Sequence, residues 1–267
     1  MFQAEVIADS INPRGVRLTT MQVTYPRIIL AEMNTHRRFS RNTASSRAIP
    51  IAKMIEQVRN DPYVPIHWGS NKPGMQAGDE IACKEMAAAG WRTAVQQAIE
   101  DAEWFHDLGV HKQVVNRLLE PFMWTTQIIS STEWDNFFAQ RISEYAQPEM
   151  RKIAELMKSA LDASVPARLF EGDWHTPYCK DEFADVRVSA ARCARVSYKT
   201  FDGITDPEKD LELYSKLVSQ GHWSPLEHVA MCDSDSNAYM SRNFVKGWTQ
   251  FRAVVEGMRA LVAKIVE

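Results

Sequence analysis

Between Thr35 and Arg47 the chain reads Thr-His-Arg-Arg-Phe-Ser-Arg-Asn-Thr-Ala-Ser-Ser-Arg, so His36, Arg37, Arg38, Arg41 and Arg47 stand together with no carboxylate among them. Such a cluster binds an anion. Guanidinium forks grip phosphate oxygens in pairs, and the interleaved Ser, Thr and Asn side chains are neutral donors that complete a phosphate cradle. The whole chain carries a formal charge of -3 with a pI of about 6.2, which makes the cluster a local exception and not part of a basic surface. Two chemistries remain open for it: a nucleotide phosphate held at a structured edge, or a nucleic-acid backbone held by a basic patch.

Two further segments hold polar residues that helix patterning does not require. One runs from Asn116-Arg117 to Arg141, where Arg117, Asn136, Gln140 and Arg141 sit among Phe122, Trp124, Trp134, Phe137 and Phe138. The other is Ala194-Arg195-Val196-Ser197-Tyr198, followed by Gly221-His222-Trp223-Ser224-Pro225-Leu226-Glu227-His228. Each has a plainer reading. Asn136 fits a helix-surface amide, Arg141 fits an ion pair with Glu133 or Glu144 on its own helix, and Glu227 fits a capping box after Ser224. The aromatics read as core.

The elements that must position these residues follow from pattern. Residues near 15 to 24 read as a strand ended by Tyr25-Pro26, a helical turn follows from Ile28 toward Asn34, and Pro50 opens a helix through about Arg59. Asp61 to Gly78 reads as an irregular loop. Asp79 to Lys158 reads as almost wholly helical, with breaks at Gly90, Gly109, Pro121 and Ser130-Ser131. After a loop from Asp173 to Cys179, helices are expected from Asp181 to Val196, Asp206 to Ser219 and about Asn237 to Val266. The sum is α+β, helix-rich with a small sheet.

At 267 residues and 45% hydrophobic, the chain can bury a substantial core in one large domain or two closely joined ones. No apolar run is long enough to cross a bilayer and the amino-terminal residues lack a secretion-signal pattern, so a cytoplasmic protein is expected. Cys83, Cys179, Cys193 and Cys232 form no Cys-x-x-Cys pair and read as reduced, mostly buried thiols; the histidines lack metal spacing, so no metal site is expected.

These segments resemble the flavin-dependent thymidylate synthases of the ThyX class. The family signature is RHRxxSxNExSxR, and here Thr35-His36-Arg37 is followed at the same spacing by Ser40, Asn42, Ser45 and Arg47, with Pro26 upstream. Asn116-Arg117-Leu118-Leu119-Glu120-Pro121 resembles the family's phosphate-binding arginine, and Asn136 to Arg141, with Ala146-Gln147 beyond, resembles its Asn-Phe-x-x-x-Arg stretch. The third segment resembles the ARVSY and GHxSPxEH stretches. In the family these precede the arginine loop, whereas here they follow the helical core, so the chain reads as a circularly permuted member. The signature's first Arg is Thr35, its Glu is Thr43, and the Gln that usually precedes it by three residues is Glu32.

The resemblance implies a single catalytic domain over 1–267, with a ThyX-like fold and a small, mainly antiparallel sheet in permuted order. Its parts would be a strand and arginine-loop segment at 1–60, a helical core at 79–165, the permuted segment at 181–232 and a C-terminal helical extension at 233–267. It implies FAD as cofactor, bound by His36, Arg37, Arg38, Thr43, Asn136, Ser197, Ser224 and Glu227, with His222 near the folate side. A deoxypyrimidine monophosphate would be held by Glu32, Ser45, Ser46, Arg47, Arg117 and Arg141, with Arg141 catalytic. Methylenetetrahydrofolate and NADPH would be cosubstrates, and the protein a homo-oligomer, by family habit a tetramer with shared sites. Rival readings are a dUMP or dCMP hydroxymethylase, motivated by Thr35, Thr43 and Glu32, a ligand-binding relic without turnover, and a nucleic-acid-binding protein.

Overall fold

The protein is described by a computed structural model covering residues 1–179, 185–196 and 206–266. Ser197 and Tyr198 lie outside the described residues. Strands β1 (Gln3–Ile11) and β2 (Arg17–Pro26) form an antiparallel hairpin. On β2 lies β4 (Trp124–Ser131), on β4 lies β3 (Ser40–Thr43), and the short β5 (Ala167–Arg168) adds in parallel to β1. The order β3-β4-β2-β1-β5 is that of a mainly antiparallel sheet. A second antiparallel sheet joins β6 (Trp174–His175), β7 (Ala230–Asp233) and β8 (Gly247–Gln250).

β4 is the principal departure from the expected helical run between Asp79 and Lys158. Six of its eight side chains are buried, so the polar and apolar alternation of a half-exposed strand is missing, and a short buried strand is then hard to tell from helix by period alone. Its composition, Trp-Thr-Thr-Gln-Ile-Ile-Ser-Ser, is that of a strand. The expected break at Ser130-Ser131 is the end of this strand. β3 likewise turns the middle of the basic loop into an edge strand, and β1 is a strand that pattern alone did not mark.

Helices cover the large sheet. α1 (Leu30–Met33) is a single turn following β2; α5 (Asp135–Arg141) and α6 (Pro148–Ala163) bury Phe137, Phe138, Met150, Ile153 and Met157 against Met21, Val23, Tyr25 and Ile129. α2 (Ile51–Asn60), α3 (Lys84–Asp107) and α4 (Lys112–Leu119) form a second core around Met54, Ile99 and Leu119. α3 runs through Gly90 without the expected break, because one glycine costs about 1 kcal/mol in a helix of this length. Gly109, at φ 78, stands just beyond its end as expected.

α7 (Val186–Arg195) and α8 (Pro207–Ser219) join through the buried Asp210, which accepts from Arg192 Nε at 3.0 Å and Arg195 Nε at 2.7 Å. The single helix expected from Asn237 is instead α9 (Ala238–Ser241), β8 and α10 (Phe251–Val266). Gly247 decides this: its φ is 111°, and a Cβ there would lie 2.5 Å from Asn12 Nδ2, which donates to the Gly247 carbonyl at 2.9 Å. Cys193 and Cys232 are buried as expected, but Cys83 is exposed and Cys179 half-buried.

The long 61–83 segment is anchored by one carboxylate. Glu149, buried at the start of α6, accepts from Tyr63 Oη at 2.7 Å and from the Ile66 amide at 3.3 Å. Tyr63→Phe therefore removes the shorter of two bonds to this buried carboxylate, with an expected loss of about 1 kcal/mol in urea unfolding and faster proteolysis confined to 61–83.

Candidate active site

Arg141 ends α5, a turn after Phe137 and Phe138 have committed the helix's apolar face to the core. Its side chain, 18% exposed, reaches the 30–36 segment. There it pairs with the Glu32 carboxylate, donates from Nε to His36 Nε2 at 2.9 Å, and lies 3.4 Å from Thr35 Oγ1. Thr35 in turn donates to the Glu32 carbonyl at 2.7 Å. The His36 ring meets Phe137 edge-on at 4.8 Å. Burial, then the cations Arg141 and Arg41, push the His36 pKa down to about 4. Because Nε2 accepts the guanidinium proton, the neutral ring carries its hydrogen on Nδ1.

Arg141 therefore pairs with neither Glu133 nor Glu144. Glu133 instead pairs with Arg38, whose carbonyl accepts from Ser131 Oγ at 3.2 Å and Asn243 Nδ2 at 3.1 Å. Beside this network opens a cleft of about 780 Å³ with Thr35, His36, Arg37 and Arg38 on one wall, Glu133, Asn136 and Gln140 on the other, and Arg17 at its edge. Asn136 is exposed and accepts from Gln140 Nε2 at 3.3 Å. Another cleft of about 510 Å³, between the 61–83 segment and the start of α6, holds none of the candidate residues.

A second grouping lies at the other end of the same short segment. Arg27 pairs with Glu120 at 3.0 Å, and Glu120 also accepts from Ser46 Oγ at 2.6 Å and Arg117 Nη1 at 2.9 Å. Asn116 holds the loop from below, donating to the carbonyls of Ser46 and Ile49 at 2.7 and 2.9 Å. Arg47 is exposed and forms no ion pair among the described residues, while Ser45 is half-buried. Residues 27 to 33 thus carry Arg27 toward Arg117 and Glu32 toward Arg141.

Thr43 faces the sheet, accepting from Gln127 Nε2 at 2.7 Å, while Tyr25 Oη donates to Gln127 Oε1 at 2.7 Å. The Ser224–His228 segment is a 3-10 turn packed on β3. Glu227 makes no capping box; it pairs with Arg252 and faces the half-buried Arg41 electrostatically. His222 and Ser224 are exposed, and neither lines the cleft. Glu120, Gln127 and Asn243 are contacts the sequence reading did not pick out, and Glu133, read there as a partner for Arg141, holds Arg38 instead. Only Gln127 had a signal, a lone amide in a β-branched run.

The profile of the family described as thymidylate synthase complementing protein matches residues 17–167, more than half of the chain. The chain belongs to that family. The match to the thymidylate synthase complementing proteins takes in the arginine segment, Arg117 and Arg141, and ends before the Ala194 and Gly221 pieces. Among solved structures, the chain is similar to a UMP/dUMP methylase, PolB from Streptomyces cacaoi bound with 5-Br dUMP, at 14% identity and TM-score 0.48, over 60% of this chain and 90% of that one. It is also similar to thymidylate synthase X from Helicobacter pylori with FAD and dUMP, at 17% identity and TM-score 0.38, over 54% and 67%. No curated protein sequence matches. Among the described residues no helix is long and apolar enough to cross a membrane, and no cluster of metal-binding side chains occurs.

The depressed His36 pKa has a signed consequence. Between about 6.5 and about 4 the unfolded chain binds a proton that the folded one refuses, so stability is lost as pH falls through that window and is indifferent to His36 above it. Thermal unfolding at fixed ionic strength should show a flatter decline from pH 6.5 to 4.5 in His36→Asn.

Proposed function

We propose that the protein is an FAD-dependent enzyme that transfers a one-carbon unit to C5 of a deoxypyrimidine monophosphate, converting dUMP to dTMP with methylenetetrahydrofolate and NADPH. The observation that carries this reading is the orientation of Arg141 by His36, Glu32 and Thr35 beside a cleft rimmed with guanidinium groups. A permanent cation held from three sides is prepaid organisation: it can stabilise negative charge on a pyrimidine ring without rearranging when the charge develops.

The donor set fits the cofactor. Arg37 and Arg38 offer forks for a diphosphate, the cleft has room for a dinucleotide, and Asn136 supplies an amide at its wall. FAD, when bound, supplies the hydride that no side chain can carry. Ser224, Glu227 and Thr43, with His222 toward the folate, do not line the cleft and are assigned to the cofactor by motif alone, as is Ser197. Ser45, Ser46, Arg47 and Arg117 are assigned to the nucleotide phosphate. Arg117 and Arg47 are exposed at the far end of the 27–33 segment from Arg141, which supports a homo-oligomer, in our reading a tetramer, that shares its sites.

A second reading is favoured by Glu32. An amide both donates and accepts, whereas a carboxylate only accepts, so Glu32 suits the exocyclic amine of cytosine better than a uracil carbonyl. Hydroxymethylation of dUMP or dCMP is the corresponding reaction.

Purified protein is expected to be yellow and, with dUMP and the cosubstrates, to yield a product heavier by CH2; a product heavier by CH2O, or turnover of dCMP alone, selects the second reading. Arg141→Lys keeps a charge but loses the fork. It should retain bound flavin while kcat falls roughly 100- to 1000-fold in single-turnover assays.

A further inference from the structure

Away from the cleft, a line of side chains runs through the interior from one sheet to the other. Ser10 Oγ on β1 lies 2.8 Å from His175 Nδ1 on β6; His175 Nε2 lies 2.8 Å from Thr20 Oγ1 on β2; Thr20 Oγ1 lies 2.6 Å from Ser130 Oγ on β4; and Ser130 Oγ lies 2.8 Å from His228 Nδ1 at the end of the 3-10 turn. All are buried, and His228 Nε2 is enclosed without a partner among the described residues. Burial pushes both imidazoles down to about 3, so both are neutral at physiological pH.

Proton bookkeeping restricts such a line to two states. Each hydroxyl has one proton to give, and Thr20 and Ser130 each stand between two partners. Where Thr20 donates to Ser130, Ser130 must donate to His228 Nδ1 and His175 must donate to Thr20 from Nε2, so both rings carry hydrogen on Nε2. Where Ser130 donates to Thr20, His228 must donate from Nδ1 and Thr20 must fill His175 Nε2, so both rings carry it on Nδ1.

We propose that His175 and His228 are positioning residues locked to the same neutral tautomer through Thr20 and Ser130, and that this polarised line holds the Ser224–His228 turn at a fixed height over β4 and β3. A line that is all one polarity strengthens each member, and a break forfeits more than one bond. The turn is the piece that presents Ser224 and Glu227, so its catalytic relevance rests on the flavin reading, while the tautomer lock does not.

Nitrogen-15 spectra of histidine-labelled full-length protein at pH 7 distinguish Nδ1–H from Nε2–H rings. Two identical neutral tautomers are expected; opposite tautomers, or a charged ring at either position, overturn the lock. Ser130→Ala cuts the line at its middle and should speed hydrogen exchange at the Leu226 amide roughly tenfold, with β1 and β2 amides unchanged, while Ser130→Thr restores the wild-type rate. Unchanged exchange in Ser130→Ala overturns the positioning role. A colourless protein with matched tautomers would end the flavin reading and leave the line standing.

Discussion

Pairing of β4 with β2 on one side and β3 on the other is the constraint from which the rest of the site follows. Without a partner on its outer edge, β4 would leave a row of backbone donors and acceptors open, and the arginine segment would be a free loop. By supplying that partner, Ser40 to Thr43 become an edge strand in fixed register, with Ser40 opposite Ser130 and Thr43 opposite Gln127. The guanidinium groups before and after the strand are then delivered to opposite ends of it: Arg37 and Arg38 toward the α5 cleft, Arg47 toward Arg117.

Electrostatics then sorts the cations. Arg38, Arg117 and Arg141 each have a carboxylate, in Glu133, Glu120 and Glu32 respectively, whereas Arg37 and Arg47 form no ion pair among the described residues. The paired ones are oriented by their partners; the unpaired ones are available to an anion. Pairing across a solvated rim contributes little to stability, typically below 1 kcal/mol, so the value of Glu133 and Glu120 lies in geometry. Glu32 differs because its partner is mostly buried and also bonded to His36, which makes the three a single unit.

The interior polar line and the cleft share one logic. Each uses a neutral imidazole, held neutral by burial, as a hydrogen-bonding part and not as a charge. His36 accepts from Arg141; His175 and His228 tie the second sheet and its 3-10 turn to β2 and β4. The second sheet is small and gains its position from these contacts and from Asn12 on Gly247, with its own cluster around Trp248 and Leu18.

Much was legible in the residues alone. The cation cluster without carboxylates, the strand ending at Pro26, the helices beginning near Pro50 and Asp206, and the turn at Gly109 are local facts, written in short-range sterics and charge, and pattern reads them. What the chain could not reveal by pattern was whatever depends on burial from both sides or on partners far away. β4 lost its period because neighbours cover both of its faces. β8 interrupts an apparent helix because Gly247 must approach Asn12, which lies 235 positions away. Arg141 was open to a near neighbour on its own helix, and only the packing of Phe137 and Phe138 swung it to Glu32 instead. Sequence determined which groups were present and in what local conformations; tertiary structure decided which of them met, because an ion pair or a buried hydrogen bond is chosen by distance after collapse and not by spacing along the chain.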